Sequence, residues 1–309
     1  IFRRRTASGG ACKKGWTFQM NKTKGIALVI LSAVIFGITP TMAKYTYTHG
    51  SNPVMMTMFR SLLPIPIILA FLLLKKIPIK IPAKTLGKIS IIALIGSTVT
   101  SVMLNMSYNY IPVGMSTTLH FVYPTFVSIL CFLFYKEHID RAKILALMIS
   151  SAGILCFFQG GASGSLVGIL LALGSGLTYA FYMMSVDKWG IKDMHPMVFS
   201  LYTCLFVSIY TFLYGAMTNQ VTFDLTPLSW LYTFIVAVSV SVGANAFLQV
   251  GIRYTGASTS AILSMFEPIT SVVCGVLILN ESLSGVKLLG CALILFAVYL
   301  LTRKRTVIE

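Results

Sequence analysis

The sequence predicts an all-α integral membrane protein whose ten transmembrane helices form two inverted five-helix repeats. Three observations predict this fold: the composition is apolar, long stretches carry no charge, and the two halves of the chain align with each other. Of the 309 residues, 56% are hydrophobic and 10% are charged, whereas soluble domains carry about 25% charged residues. At about 20 apolar residues per membrane-spanning helix, the chain has room for about ten spans with short loops, and none for a soluble catalytic domain.

Two uncharged stretches show how the spans divide. Residues 89–135 form a run of 47 residues without Lys, Arg, Asp or Glu, which as one helix would be about 70 Å long against a hydrocarbon core of about 30 Å. We expect a break at Asn109–Pro112, because proline lacks a donor N–H and disfavours helix in the residue before it. The uncharged run 144–186 is expected to break at Gln159–Gly164. The predicted helices are residues 25–45, 54–74, 88–107, 113–135, 143–158, 166–186, 196–215, 229–250, 257–279 and 285–302.

The distribution of positive charge supports this set of helices and predicts their orientation. When the loops are assigned alternately to the two sides, 21 of the 24 Lys and Arg residues fall on one side. Because positively charged loops face the cytoplasm, we expect both termini there, in a multi-pass protein of a bacterial inner (plasma) membrane. The exceptions are Lys44 and Lys287, near outer helix ends where they can snorkel, and Arg60, inside the second helix.

The first 19 residues are basic and mostly polar. They lack an apolar core of signal-peptide length, so we do not interpret them as a secretory signal. Two interpretations stay open: a non-native or upstream extension, with Met20 as the natural start, or a short disordered cytoplasmic tail.

The chain aligns with itself at an offset of 143 to 144 residues, which indicates an internal repeat. The matched landmarks are Gly25 with Gly168, Ser32 with Ser175, Asn52-Pro53 with His195-Pro196, Tyr110 with Tyr254, Pro124 with Pro268, Glu137 with Glu281, and Lys143 with Lys287. Each half contains five predicted helices, an odd number, so the second half must enter the membrane in the opposite orientation. Inverted repeats of this kind are typical of secondary transporters, whose site lies near the midplane between the halves.

Each half resembles an EamA-type unit of the drug/metabolite transporter superfamily, the first over residues 24–158 and the second over 166–305. The residues that carry the resemblance are Phe36-Gly37, Arg60, Tyr123-Pro124 with Glu137, Phe266-Glu267-Pro268, Leu279-Asn280-Glu281-Ser282-Leu283 and Leu289-Gly290. Tyr123 departs from the pattern, since the second half has Glu267 at the matching position, and Thr203 stands where the first half has Arg60. The resemblance implies a ten-helix bundle with a central cavity lined by the first, third, fourth, sixth, eighth and ninth helices. It implies no single substrate, because the superfamily handles amino acids, nucleosides, drugs and other metabolites.

Glu267 is the only acidic residue well inside a predicted span. An ionised carboxylate at the bilayer centre costs at least about 2.5 kcal/mol, so Glu267 should be neutral, paired or facing water. It would bind a cationic substrate group or carry a coupling proton, or it would pair helices through a hydrogen bond.

His120 and Ser264 each stand four residues before a repeated proline, which frees their carbonyl groups. We expect His120 to be a proton or substrate ligand or a donor to a neighbouring carbonyl, and to form a pair with Glu267 across the pseudo-twofold axis.

The remaining candidates are polar or aromatic side chains inside other helices. Arg60 could meet a substrate carboxylate, but a structural role near the headgroups or beside a carbonyl is the favoured interpretation. Asn105 and Gln249 match by the repeat, and Asn245 lies one turn before Gln249; these amides would bind substrate or join helices. Tyr179 and Tyr182, with the aligned Phe36 and Thr39, could form an aromatic wall, although such stripes often serve packing alone. With Tyr123 they complete the candidate set for substrate binding or proton coupling.

These features favour a secondary transporter of a small organic metabolite, amino-acid-like, nucleoside-like or drug-like, which exports it by alternating access around a midplane cavity, with or without coupling to protons. The alternatives are a facilitative exchanger or importer, or an integral-membrane enzyme acting on lipid-linked substrates, for which clustered Asp, His or Arg would be expected at one interface. No phosphate-binding Gly-x-x-x-x-Gly-Lys-Ser/Thr loop and no His-Glu-x-x-His motif occurs, so we expect no catalytic residue, metal or cofactor. The expected partners are the small-molecule substrate and the lipid bilayer, with protons as a further candidate and without nucleic acid. The sequence leaves the oligomeric state open, with a monomer as one option.

Overall fold

The computed structural model describes residues 3–4, 16–17, 22–47, 49–111, 113–137, 139–156, 165–279 and 284–303. Within these residues the helical segments fall into ten groups, here called the first to tenth helices. Their bounds are Lys22–Tyr47; Pro53–Leu62 with Pro64–Leu74; Ala83–Ala93, Leu94–Val99 and Thr100–Ser107; Val113–His120 with Tyr123–Tyr135; Arg141–Leu155; Leu166–Lys188; Pro196–Met217; Pro227–Val238, Ser239–Ala244 and Asn245–Thr255; Ala257–Ser264 with Phe266–Leu279; and Gly285–Arg303.

The rest of the described chain is mostly loop. A single helical turn, Ile191–Asp193, lies between the sixth and seventh helices, and Arg3–Arg4 pairs with Trp16–Thr17 as two short antiparallel strands. Eight of the helices are long and apolar enough to cross a membrane. Of the other two, the fifth has 15 residues, and the tenth is apolar over the shorter stretch Gly285–Leu300.

The predicted all-α membrane fold is confirmed, and so is the break between the third and fourth helices. The third helix ends at Ser107 and the fourth begins at Val113. Pro112, the second predicted break (159–164) and Glu281 lie outside the described residues.

The repeated Asn52-Pro53 and His195-Pro196 have a physical reason. Each pair begins a helix, because proline fits the first helical position, where its missing N–H is not needed. The side chain of Asn52 accepts a hydrogen bond from the Met55 amide (2.9 Å), and that of His195 accepts one from the Met197 amide (3.2 Å). The second and seventh helices therefore start with the same capping device.

Helix packing follows the repeat. The first helix packs against the eighth and ninth, and the sixth packs in the same way against the third and fourth. The second packs on the seventh and the fifth on the tenth, so exchanging the two halves leaves this set of contacts unchanged. For orientation we call the side with Lys75–Lys88, Lys136–Lys143 and Lys188–Lys192 the lysine-rich face.

One pair of helices breaks this symmetry. The halves of the fourth and ninth helices near the lysine-rich face, Tyr123–Tyr135 and Ala257–Ser264, pack against each other. Their counterparts toward the opposite face, Val113–His120 and Phe266–Leu279, make at most marginal contact within the described residues. The bundle is therefore closed at the lysine-rich face, and these two helices diverge toward the opposite face.

The third and eighth helices share a feature that the sequence did not reveal. Each contains a six-residue π-helical segment, Leu94–Val99 in the third and Ser239–Ala244 in the eighth. These segments occupy matching places in the two repeats. π-helical turns are rare in proteins overall, but where they occur they often lie at functional sites.

Candidate functional site

The fourth and ninth helices are both interrupted at mid-membrane depth. The first half of the fourth helix ends at His120 and that of the ninth at Ser264, each four residues before a proline. Pro124 and Pro268 cannot donate to the carbonyls of His120 and Ser264, so each helix bends where that bond is missing. The two breaks place His120, Tyr123, Ser264 and Glu267 in the middle of the bundle.

Glycines allow the first and sixth helices to approach these breaks closely. A Cβ atom on Gly37 would lie 2.5 Å from the Glu267 carbonyl oxygen, and one on Gly176 would lie 2.9 Å from the His120 carbonyl oxygen. Such distances are shorter than non-bonded atoms tolerate, so both positions need glycine. The backbone on either side of each break is therefore fixed by a neighbouring helix.

Glu267 is a half-buried carboxylate in the first turn of the second half of the ninth helix. Within the described residues it has no hydrogen bond and no ion pair within 4 Å. Its electrostatic neighbours are Arg60 of the second helix, Tyr123 of the fourth and Tyr179 of the sixth. A carboxylate with polar neighbours but no direct partner is available to a proton or to a cationic ligand.

Arg60 lies in the last turn of Pro53–Leu62, four residues before Pro64. Because Pro64 has no N–H, the carbonyl of Arg60 lacks its helical donor, and the hydroxyl of Ser241 donates to it instead (3.1 Å). Ser241 belongs to the π-helical segment of the eighth helix, and its own carbonyl accepts from the Ser200 hydroxyl of the seventh helix. The wide turn of the eighth helix therefore anchors the backbone that carries Arg60.

The guanidinium of Arg60 lies among interior polar groups. Its electrostatic neighbours are Tyr47, Cys204, Tyr179 and Glu267. The structure places Arg60 within electrostatic range of Glu267. The favoured interpretation, a structural role near the headgroups or beside a carbonyl, stays a prediction.

His120 pairs with a serine and not with Glu267. Its Nδ1 lies 2.9 Å from the Ser175 hydroxyl, which is itself 2.6 Å from the Ala172 carbonyl. Because a serine has one hydroxyl proton and the Ala172 carbonyl can only accept, satisfying both contacts requires the proton on Nδ1 of His120. The neutral ring then presents Nε2 as an acceptor. No direct interaction joins His120 to Glu267. Tyr123 is a neighbour of both: its ring centroid lies 5.7 Å from that of His120, and it interacts electrostatically with Glu267.

Aromatic rings extend from His120 across the sixth helix. Tyr123 meets Tyr179 edge-on at 4.8 Å, Tyr179 stacks on Tyr182 at 5.7 Å, and Tyr182 lies 6.4 Å from Phe199. The predicted wall thus includes Tyr179 and Tyr182, but its other members are Tyr123 and Phe199. Phe199 could not be predicted as a member, because no polar or repeat signal marks it in the sequence.

Phe36 and Thr39 do not belong to the wall. Phe36 packs against the hydrophobic core, and the Thr39 hydroxyl donates to the Ile35 carbonyl of its own helix at 3.0 Å.

The hydroxyl of Tyr123 is buried and forms no hydrogen bond of standard geometry, although the Ser264 side chain lies next to it. Tyr123 is only 1% exposed, and its other neighbour is Glu267. Buried hydroxyl groups are rarely left unsatisfied, so a conformational change that exposes Tyr123 would make this hydroxyl available to a ligand.

The three amide candidates do not lie together. Gln249 is buried and donates to the carbonyls of Ile191 (2.9 Å) and Met194 (3.4 Å), so it ties the eighth helix to the loop before the seventh. Asn105 lies near the other end of the third helix, because an inverted repeat sends matching residues to opposite faces. Asn245 follows the π-helical segment directly, beside Ala244, whose carbonyl accepts from Ser32 (2.9 Å).

Among the described residues, no group of three His, Cys, Asp or Glu side chains could hold a metal ion. The polar groups that converge are Arg60, His120, Tyr123, Tyr179 and Glu267, contributed by the second, fourth, sixth and ninth helices. Except for Tyr123 they remain partly exposed, so they are not sealed in a core, and we call the space that they share the cleft.

Known proteins resemble this chain over most of its length. The EamA-like transporter family matches residues 23–159 and again 166–303. The chain is 25% identical to the uncharacterized transporter YvbV of Bacillus subtilis over 93% of this chain and 94% of that protein. It is 24% identical to an uncharacterized transporter of Archaeoglobus fulgidus over 90% and 98%. The match to the uncharacterized transporter sll1319 of Synechocystis, at 26% identity, covers 66% of this chain and 63% of that protein.

A solved crystal structure shares the fold. It superimposes with a TM-score of 0.80 at 13% sequence identity, and covers 93% of this chain and 99% of the other. The two consecutive family matches cover the two halves of the chain, and each half forms five of the ten helices. The chain belongs to the EamA-like transporter family.

Proposed function

We propose that this protein is a secondary transporter that exports a small amphipathic metabolite by alternating access, with the lysine-rich face in the cytoplasm. The observation that carries the proposal is the broken symmetry of the fourth and ninth helices. They pack together at the lysine-rich face, whereas the matching segments toward the opposite face make at most marginal contact among the described residues. In an inverted repeat, exchanging the conformations of the two halves would open the lysine-rich face and close the other.

The chemistry of the cleft supports a substrate that carries both charges. Arg60 offers a cation and Glu267 an anion, and neither charge is used up by a direct ion pair with the other. Aromatic rings of Tyr123, Tyr179 and Tyr182 provide an apolar surface beside them. An amino-acid-like zwitterion with an apolar side chain fits this arrangement better than a nucleoside or a purely cationic drug.

Glu267 is the candidate for proton coupling. An unpaired carboxylate within the membrane favours its protonated form, because ionisation there costs free energy. Binding of the substrate ammonium group would stabilise the ionised form and release the proton. Opposite movement of proton and substrate would follow, which is the coupling that an exporter needs.

The test is transport by the purified protein in proteoliposomes with an imposed pH gradient. A panel of radiolabelled amino acids, nucleosides and amines identifies the substrate by counterflow, which requires no gradient. We expect Glu267→Gln to lose the stimulation by the pH gradient and to bind a zwitterion more weakly, so that counterflow persists only at a raised substrate concentration. Glu267→Asp is the matched control, since it keeps the carboxyl group and should keep the stimulation.

Two results would contradict the proposal in different ways. Stimulation that survives Glu267→Gln would exclude this carboxylate as the coupling group and leave facilitative exchange. Absence of counterflow for every compound class in the panel would argue against metabolite transport itself.

A further inference from the structure

A network of charged side chains lies at the lysine-rich face, outside the cleft. Glu137, in the loop after the fourth helix, accepts from Lys143 of the fifth helix through Oε1 (3.1 Å) and from Lys188 of the sixth through Oε2 (2.8 Å). The hydroxyl of Ser258, in the first turn of the ninth helix, also donates to Oε1 (3.2 Å). One carboxylate thus joins three helices.

Asp187 reinforces the same junction. Its side chain is 2% exposed and pairs with Lys192 (2.6 Å) and Lys188 (3.2 Å). The backbone amide of Ala257 donates to its Oδ2 (3.3 Å). Asp187 and Glu137 therefore both hold the N-terminus of the ninth helix, whose unpaired amides and positive dipole end favour nearby carboxylates.

This junction coincides with the closed end of the bundle. Ala257–Ser264, the segment that it holds, is the one that packs on Tyr123–Tyr135. The same helix carries Glu267 farther along. The lysine-rich face cannot open between these segments unless Ser258 leaves Glu137, or Glu137 moves with Ser258 and leaves Lys143 and Lys188.

The carboxylate stays charged under ordinary conditions. Burial alone would raise the pKa of Glu137, but the hydrogen bonds and charges of Lys188 and Lys143 outweigh burial and lower the pKa to about 2. The interactions are partly shielded from water, since 20% of the Glu137 side chain and 10% of the Lys143 side chain are exposed. Such pairs are screened less than surface pairs and are costly to break one partner at a time.

We propose that Glu137 is the latch of the gate at the lysine-rich face: it holds the start of the ninth helix through Ser258 and so keeps that face closed. The inference rests on the proposed alternating-access function and assigns the gate of the same site. Loss of the latch shifts the population toward the state open at the lysine-rich face and leaves the binding groups in the cleft intact.

The chain contains its own reporter of opening. Cys131 is a fully buried thiol of the fourth helix, on the segment that faces the ninth. Its electrostatic neighbours include Glu137 and Lys188, and Ser258 lies beside it. With Cys12, Cys156, Cys204, Cys274 and Cys291 replaced by serine or alanine, a membrane-impermeant maleimide applied from the lysine-rich side reports exposure of this seam without any substrate.

We expect Glu137→Gln to increase the rate of Cys131 labelling by at least about tenfold, since losing hydrogen bonds to a charged group shifts an equilibrium by about that much. Glu137 also acts electrostatically on this thiol, so the increase counts as opening only when Ser258→Ala, which leaves that charge in place, shows one too. Ser258→Ala, which removes one hydrogen bond and keeps every ion pair, should give a smaller increase. Asp193→Asn is the matched control: it neutralises an acid of the same face that pairs with Arg253 (3.4 Å) and that forms no ion pair with the ninth helix among the described residues. Its labelling rate should equal that of the parent.

The outcome separates a latch from a static brace. Equal labelling of the parent and of a folded Glu137→Gln, or an equal increase in Asp193→Asn, would overturn the proposal. If Glu137→Gln does not fold, as judged by size-exclusion chromatography, Ser258→Ala decides the question alone, because unchanged labelling there would also contradict it. Counterflow measured on the same proteins tests the proposed function separately. Increased labelling without counterflow would contradict the transport function and support the latch. Counterflow without a change in labelling would support the transport function and contradict the latch.

Discussion

At the scale of single residues, the site is defined by charges that are near each other but unpaired. Arg60 and Glu267 interact electrostatically across the cleft and form no ion pair within 4 Å. Each was visible in the sequence as a charge inside an apolar segment. Their common location was not visible, because it depends on how the second and ninth helices face each other.

Arg60 should determine whether a carboxylate-bearing substrate is recognised. A hydrogen bond to a charged group contributes about 1.5–3 kcal/mol, so Arg60→Gln should raise the KM of a zwitterion by about tenfold or more and leave an amine without a carboxylate unaffected. Arg60→Lys keeps the charge but loses the planar fork and should lie between. Counterflow with the paired substrates measures this, and an equal loss for both substrates would contradict it.

Substitution of Tyr123 should affect transport without lowering the stability of the protein. Its hydroxyl is buried and unpartnered, so Tyr123→Phe removes an unsatisfied polar group and should leave Tm unchanged or raise it slightly. Transport should fall, because the hydroxyl is then missing from the ligand site. A fluorescence-based thermal shift in detergent and a counterflow assay check the two halves of this prediction, and a drop in Tm would show that the hydroxyl has a structural partner.

At the scale of helices, the effect of the prolines could be predicted from the sequence, whereas the π-helical turns could not. The repeated Pro124 and Pro268 predicted the breaks after His120 and Ser264, because the missing donor acts locally. The π-helical segments Leu94–Val99 and Ser239–Ala244 have no comparable sequence signal. They depend on contacts with other helices, such as the hydrogen bond from Ser241 to the Arg60 carbonyl.

Gly37 should be intolerant of any side chain. A Cβ atom there would lie 2.5 Å from the Glu267 carbonyl oxygen, so Gly37→Ala should destabilise the protein by about 1–3 kcal/mol through overpacking. Gly87→Ala is the matched control in the third helix, where a Cβ would meet nothing within 4 Å. It should stabilise by about 0.5–1 kcal/mol, and thermal unfolding of the two variants should therefore move in opposite directions.

At the scale of the whole molecule, the sequence predicted the symmetry and could not predict its breaking. The repeated landmarks anticipated ten helices, and the capping role of Asn52 and His195 explains two of them. Which face is closed depends on the packing of Ala257–Ser264 on Tyr123–Tyr135 and on the cluster around Glu137. Because the two halves resemble each other, their sequences do not show which conformation each adopts.

The closed face should not respond to ordinary changes of pH. The pKa of Glu137 is lowered to about 2 in the folded state, so its contribution is complete above the ordinary carboxyl pKa and is lost only as pH falls toward the lowered value. The ratio of Cys131 labelling between Glu137→Gln and its parent should therefore stay constant from about pH 5 to about pH 8. A ratio that falls toward one at the acidic end would contradict this.

Alternating access is the central claim, and distances across the two ends of the bundle test it most directly. Spin labels at Lys136 and Arg253 report the lysine-rich end, and labels at Tyr110 and Leu277 report the opposite end, all four being sites of intermediate or high exposure. Double electron–electron resonance in lipid, with and without the substrate identified by counterflow, should reveal two states in which one distance lengthens as the other shortens. A single unchanging distance at both ends, in a protein that binds its substrate, would contradict the claim.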